Sequence, residues 1–372
     1  LSPIEVVPVP ALAITSLGFV LGLAFGVLAS RTHFCMLGSI SDALNMGSWV
    51  RIRMWLIAVA AAILGVWVLR IGGWVDTNLS TYAGPRLPVL SLIVGGLMFG
   101  AGMVLASGCT SKTLIRLGGG NLKSLVVFLV LGISAYMTLR GLFASWRVAT
   151  LDRVVIDLGT PQTLPALIAS ALDQPVALLD RWLTPILGGG LLWVGLSSRE
   201  LWQHERSAIV GGVGIGAVIT AAWWATGWLA FVPEHPETLE PAFIATQLNR
   251  PESFSLAAPY AYTLELLMLW TDQSRKVTFG IASALGIVCG SFLSALVARR
   301  LKLEVFPDAG DFLRHMAGAV LMGSGAVLAM GCTVGQGLSG LSVLSLGAII
   351  ATTAMIGGAA AMMKIDEWRA DR

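Results

Sequence analysis

GGLMFGAGMVLASGCT, residues 95–110, returns as GAVLMGSGAVLAMGCT at residues 318–333. At a constant offset of 223, Gly95, Gly100, Gly102, Leu105, Ala106, Gly108, Cys109 and Thr110 fall on Gly318, Gly323, Gly325, Leu328, Ala329, Gly331, Cys332 and Thr333. Two apolar, glycine-rich runs thus end on the same Gly-Cys-Thr. A repeated hydrophobic segment broken by glycine points to a binding or transport site between two related halves of a membrane protein.

The rest of the chain fits that setting. Hydrophobic residues make up 56% of the 372 positions and charged residues 12%, where soluble domains carry roughly 25% charge. The 43 glycines suit helices that approach closely where lipid gives no hydrophobic drive between them. The alternating ten-residue strands of a transmembrane barrel are absent. The net charge of +3 is dispersed and no basic run has interleaved aromatics, so nucleic-acid binding is discarded. Four cysteines, Cys35, Cys109, Cys289 and Cys332, make no C-x-x-C and no disulfide scaffold. No cofactor or metal motif is visible: the four histidines and the thiols show no ligand spacing.

Nine apolar stretches are long enough to cross a bilayer: 11–29, 54–70, 89–107, 122–141, 181–198, 207–231, 277–299, 314–330 and 342–363. Four broken apolar segments, 33–46, 109–118, 254–270 and 332–341, are expected to dip into the membrane and return, which is tolerated only inside protein or along a wet path. The expectation is an all-α membrane protein, a single transport domain over 1–372. Its first repeat covers 11–141, a connector with an extra span covers 142–206, and the second repeat covers 207–363. The sixth span comes five spans after the first, an odd number of steps, which inverts the second repeat. Lys and Arg are commoner in and beside the connections after spans one, three, five and seven and in the C-terminal tail, with Lys364, Arg369 and Arg372. That bias puts the C-terminus in the cytoplasm and the N-terminus outside. The long connections 142–180 and 232–276, the second holding Pro233, Pro236, Pro241 and Pro251, become external caps.

The candidate site follows from the repeat. Cys109 and Cys332 come after Gly108 and Gly331, where a span breaks, and before Thr110 and Thr333, which suit the N-cap of a short helix. A helix start offers free N–H groups and partial positive charge to an anion. Thiols donate weak hydrogen bonds, present a polarisable surface to soft atoms, or attack as thiolates, and all three favour sulfur or selenium substrates over a hard ion. A cysteine in an apolar helix is ordinarily a small packing residue. Cys289, in GIVCGSF, is read that way. Duplicated packing explains repeated glycines but does not require the same thiol twice. Arg31, Lys112 and Arg116 are candidates for attracting an anion at membrane depth, while Arg31 and Arg116 can equally snorkel to the interface. Asp42 and Glu265 are expected to satisfy a neighbouring Arg or backbone group. The Trp residues, Trp223, Trp224 and Trp228 among them, are expected to form an interfacial belt.

RTHFCMLGSISD at 31–42, GCTSKTLIRLGGGNLKSL at 108–125, SFSLAAPYAYTL at 253–264 and the second Gly-Cys-Thr together resemble the YeeE/YedE family of sulfur-compound transporters. The match is specific over 95–125 and looser over 142–206. The resemblance implies an hourglass-like inverted repeat of nine spans and four short helices in the bacterial inner membrane, taking up thiosulfate. It also implies that Cys35, Cys109 and Cys332 line the path and make successive S–H contacts with the substrate. Some relatives work with a small TusA-like sulfur carrier on the cytoplasmic side. Two departures bear on the substrate: the chain is extended over 142–206, and the third broken segment has Ser253 and Ser255 but no Cys. The alternatives are transport of a selenium species or other sulfane-sulfur compound, in which a thiolate takes up sulfur covalently, and a membrane thiol oxidoreductase, which the missing C-x-x-C opposes.

Overall fold

The structure, a computed structural model, describes residues 10–235, 239–272 and 275–371; Pro236 and Arg372 lie outside the described residues. It is built from helices, with two short two-stranded ribbons as its only paired strands among the described residues. Two stretches each set a short helix between two long ones: α1 (Ala11–Thr32), α2 (Met36–Asn45) and α3 (Val50–Ile71), then α4 (Val89–Leu105), α5 (Thr110–Gly118) and α6 (Leu122–Leu139). A connecting region holds α7 (Leu142–Ala149), α8 (Leu164–Leu172), α9 (Val176–Leu196) and α10 (Arg199–His204). The rest comprises α11 (Arg206–Trp224), α12 (Ala257–Met268), α13 (Phe279–Val297), α14 (Ala309–Leu328) and α15 (Leu346–Ala370).

Seven stretches among the described residues, begun by α1, α3, α4, α6, α11, α13 and α15, are long and apolar enough to cross a membrane, and the chain is a multi-pass membrane protein. The expected nine include α9 and α14, which have comparable length but carry charge. Asp180, Arg181 and an internal Pro185 interrupt α9, and Asp311, Arg314 and His315 open α14. The segment 142–180 is more ordered than its prolines suggest. β1 (Arg86–Leu87) pairs antiparallel with β2 (Ile156–Asp157), and Thr163 bridges Ser345. In 232–276, β3 (Phe231–Val232) pairs with β4 (Ala242–Phe243).

Glycine sets the helix packing. Gly95 of α4 faces Gly325 and Ala329 of α14, and Gly102 faces Gly318 and Met322, so these helices cross antiparallel with their backbones in contact. α1 runs parallel to α13, with Gly18 on Phe279, Gly22 on Ser283 and Gly26 on Ile287. α3 runs parallel to α11 in the same manner, Gly212 lying on Met54 and Ile57 and Gly216 on Ala58 and Ala61. α4 also runs parallel to α15, Gly96 against Ala351 and Gly100 against Met355. α6 runs parallel to α14, where Gly323 meets Leu131 and Ser134. Close approach of small residues supplies dispersion and weak polar contacts that lipid tails cannot outcompete. Charge within this bundle is paired: Arg70 of α3 meets Asp180 of α9 at 2.5 Å, and Asp180 also accepts from Thr184 at 2.7 Å.

Candidate substrate path

The three cysteines singled out by sequence share one local construction. His33, Ser107 and Met330 each adopt a left-handed conformation, φ 53°, 55° and 54°. The next residue in each case donates its N–H to a carbonyl five positions back: Phe34 to Ala29 at 3.1 Å, Gly108 to Met103 at 2.9 Å and Gly331 to Ala326 at 2.8 Å. This is the Schellman closure of a helix C-terminus, normally eased by glycine at the left-handed residue. Here a non-glycine residue takes that place three times, and the cysteine follows two residues later. Each turn therefore ends one helix and points the chain into a second, short one.

The second helix begins at the cysteine. Cys35 caps α2, its Sγ accepting from Gly38 N–H at 3.5 Å. Cys332 Sγ accepts from Gly335 N–H at 3.5 Å, and a π-helical turn, Gly335–Gly340, follows. Cys109 occupies the N-cap of α5, with Ser111 Oγ 3.2 Å from its sulfur. This corrects the expectation that Thr110 and Thr333 cap these helices: Cys109 holds the N-cap position of α5 with Thr110 as the first helical residue, and it is the Cys332 thiol, not Thr333, that takes the Gly335 N–H. Each sulfur thus sits against the free N–H groups of a helix start, where negative charge is favoured.

The thiols are buried: Cys35 is 5% exposed, Cys109 and Cys332 0%, and all are unpaired as disulfides. Cys35 and Cys109 face one another, and Thr333 from the other Gly-Cys-Thr lies beside Cys109. Tyr260 of α12 is near both Cys109 and Cys332, and its hydroxyl donates to Thr110 O at 2.5 Å. Tyr82 lies on the Cys332 side and packs edge-on against Trp223 at 6.1 Å. Cys289 lies apart, exposed on α13.

The turns before Cys109 and Cys332 are clamped alike. Arg116 Nη1 donates to Ser107 O at 2.8 Å, while Gln336 Nε2 donates to Ala329 O at 2.7 Å and to Met330 O at 3.1 Å. Ser107 and Met330 are equivalent at the offset of 223, so one of Arg116's tasks is structural. Arg116 also lines a cavity of about 560 Å³ beside Cys35, together with Arg31, His33, Arg51, Lys112 and Arg300. All three basic residues named from the sequence, Arg31, Lys112 and Arg116, therefore meet in one place, and no acidic residue among the described residues lines it. Arg51 is partly neutralised by Asp42 at 3.2 Å. Glu265 pairs with Arg140 at 3.1 Å and Arg275 at 3.3 Å, as expected of a neighbour-satisfied carboxylate.

A smaller cavity, about 130 Å³, lies on the Cys332 side and is lined by Tyr82, Arg250, Glu252, Ser253, Ser255, Tyr262 and Met330 among others. Burial pushes the Glu252 carboxyl up to about 7; one oxygen accepts from Gln247 N–H at 3.3 Å and the other has no hydrogen-bond partner. Sequence reasoning missed Tyr82, Glu252 and Tyr260. The last was discoverable, since PYAY at 259–262 sits in the third broken segment. Trp223 is a correction: it is fully buried and donates to Ser342 Oγ at 3.0 Å, so it belongs to the core beside Tyr82 and not to an interfacial belt.

Comparison with known proteins points to one family. A family described as "Sulphur transport" matches residues 31–361. The chain is 26% identical over 341 residues to the thiosulfate transporter TsuA of Escherichia coli strain K12, covering 86% of each. It is 24% identical over 365 residues to the thiosulfate transporter TsuA of Spirochaeta thermophila, covering 92% of this chain and 96% of that one.

Proposed function

The chain belongs to the sulphur transport family, and from that premise we propose that it carries thiosulfate, or a closely similar sulfur oxyanion, inward through a path marked by Cys332, Cys109 and Cys35. The observation that carries this reading is the threefold device of turn, buried thiol and helix start, set between a small cavity near Cys332 and a basic cavity near Cys35. A sulfur oxyanion has a soft terminal sulfur and hard charged oxygens. The thiols suit the first, and the helix starts suit the charge without burying a full cation. Both relatives named above are named as thiosulfate transporters.

The substrate enters the cavity at Tyr82 and Ser255, passes Cys332, is handed between Cys109 and Cys35, and leaves into the basic cavity. Gly108 and Gly331 directly follow the left-handed Ser107 and Met330, and Thr110 and Thr333 flank the thiols. Arg31, Lys112 and Arg116 receive the anion at the exit. Passage is by contact, with no covalent sulfur intermediate. The inside-negative potential opposes each entering negative charge by about 2.3 kcal/mol per 100 mV, and a cluster of cations at the inner end offsets part of that locally.

The matching glycine contacts support an inverted repeat of 11–141 and 207–363, joined by 142–206, within one transport domain. At the offset of 223, the contact of Gly95 with Gly325 converts into that of Gly318 with Gly102. On this reading α9 and α14 also cross, α2, α5, α12 and the turn after Cys332 are re-entrant, and the protein lies in a bacterial inner membrane with its N-terminus outside. Arg51, Arg206 and Arg300 then lie at the cytoplasmic ends of α3, α11 and α13, as the positive-inside rule requires.

The test is uptake of radiolabelled thiosulfate into liposomes holding the purified protein, with unlabelled sulfate, sulfite and selenite as competitors. Saturable uptake that resists excess sulfate supports the reading. Absence of uptake, or equal competition by sulfate, overturns it.

A further inference from the structure

Among the described residues, two buried hydroxyls in the path find no oxygen or nitrogen partner. Thr110 is 0% exposed and Thr333 3%; Thr110 Oγ1 has no partner, and Thr333 Oγ1 has only the Cys109 thiol beside it. Thr113, Thr138 and Thr226 return their hydroxyls to the carbonyl four residues back, Cys109, Ser134 and Ala222 in turn. That route is closed to Thr110 and Thr333, because the left-handed turn at Ser107 or Met330 lies between them and the preceding helix. A buried hydroxyl without a partner is destabilising and calls for a ligand.

The orphan hydroxyls are not isolated from the thiols. Thr333 Oγ1 lies beside Cys109 Sγ, although the two residues belong to opposite copies of Gly-Cys-Thr. The backbone carbonyl of Thr110 is fixed by Tyr260, which is also near both cysteines. Thiol and hydroxyl from different halves of the chain therefore converge.

We propose that Thr110 and Thr333 are oxygen-binding residues of this path: their hydroxyls donate to the oxygens of the passing anion while Cys109 and Cys332 face its terminal sulfur. The assignment rests on the function proposed above and narrows it. A site that offers soft thiols and hard hydroxyl donors together selects an ion with both kinds of atom, a sulfur oxyanion carrying a sulfane sulfur. Hydrosulfide lacks the oxygens, and sulfate lacks the soft end. An orphaned hydroxyl in a site built for its partner discriminates strongly against ligands that leave it unpaired.

The experiment is the concentration dependence of thiosulfate uptake in liposomes for the parent, Thr110→Val, Thr333→Val, and the matching Thr→Ser variants. Valine keeps the shape and removes the donor; serine keeps the donor. Each valine variant is expected to raise the half-saturation concentration about tenfold, the scale of a hydrogen bond to a charged group, with a smaller change in maximal rate. Each serine variant should return to within about twofold of the parent. Equilibrium binding of labelled thiosulfate to detergent-solubilised, monodisperse protein supplies the same comparison independently of turnover, and Thr→Ala replaces any valine variant that fails to fold. Valine or alanine variants with parental half-saturation, or serine variants as impaired as valine ones, would overturn the assignment while leaving thiosulfate transport intact. A parent that takes up no thiosulfate removes both.

Discussion

Adding one methyl group at Gly102 or Gly325 should loosen the α4–α14 crossing by the same amount. A Cβ at Gly102 would lie 2.7 Å from Gly318 O and 2.8 Å from Met322 N; one at Gly325 would lie 2.7 Å from Gly95 O and 2.6 Å from Phe99 N. Ordinary contact begins near 3.4 Å, so the facing helix must retreat by roughly 0.7 Å, the difference between 3.4 and 2.7. Backbone atoms, unlike a flexible side-chain tip, move only with their helix. Overpacking of this kind costs about 1–3 kcal/mol, and at roughly 2–4 °C per kcal/mol for a chain of this order the melting temperature should fall by about 2–12 °C. Gly189→Ala and Gly190→Ala are the controls, since a Cβ there meets nothing within 4 Å. They should melt no lower than the parent, because alanine is the better helix former. The assay is intrinsic tryptophan fluorescence of detergent-solubilised protein during a thermal ramp. Gly102→Ala and Gly325→Ala variants as stable as the controls would refute the packing argument. Destabilisation of one without the other would refute the equivalence of the two halves at this crossing.

Three further outcomes are expected. Glu252, held near 7 by burial, is more readily protonated folded than unfolded; its contribution to stability is full below about pH 4.5, declines as the pH rises to about 7, and is constant above. Thermal scans should therefore show Glu252→Gln gaining on the parent between pH 5 and 7 and holding that gain at pH 8, whereas a gap independent of pH would count against a buried carboxyl. Asp180→Asn should destabilise by about 3 kcal/mol, the cost of stranding Arg70 in the bundle, and Arg70→Met in that background should recover most of the loss; additive losses would mean the pair does not interact. Tyr260→Phe removes the hydroxyl bonded to Thr110 O and should lower the maximal uptake rate several-fold, a loss of roughly 1 kcal/mol, with the amount of folded protein unchanged; parental rates would show that this bond does not position the turn.

Much of the candidate path was legible because duplication separates chemistry from packing. The pair Cys109 and Cys332 stood out at one offset, and the turns before them were readable as breaks in two spans. Cys35 has no partner in the second half, and the family resemblance rather than spacing raised it; its capping turn at His33 repeats the other two but carries no glycine for a reader to notice. The helix cap was misassigned for a physical reason: threonine is the common capping residue and cysteine is not, so propensity pointed one residue too far. Trp223 was misplaced because tryptophan's preference for interfaces does not reveal that Tyr82, 141 positions earlier, would be folded against it. Tyr82 and Glu252 lie in connections with no periodicity, where only tertiary contact shows what a side chain faces. The charged ends of α9 and α14 obscure their length in the same way, since hydropathy averages over residues whose charges the fold satisfies elsewhere.

The most direct measurement is thiosulfate uptake by four single variants, Cys35→Ser, Cys109→Ser, Cys332→Ser and Cys289→Ser, reconstituted at equal amounts of folded protein. Serine keeps a donor of nearly the same shape and removes the polarisable sulfur, so the comparison isolates the thiol. Uptake should fall at least about tenfold in each of the first three, the loss of roughly 1.4 kcal/mol of stabilisation along the path, and stay at the parental rate in Cys289→Ser. Parental uptake in Cys35→Ser, Cys109→Ser and Cys332→Ser alike would contradict a path that recognises its substrate through these thiols.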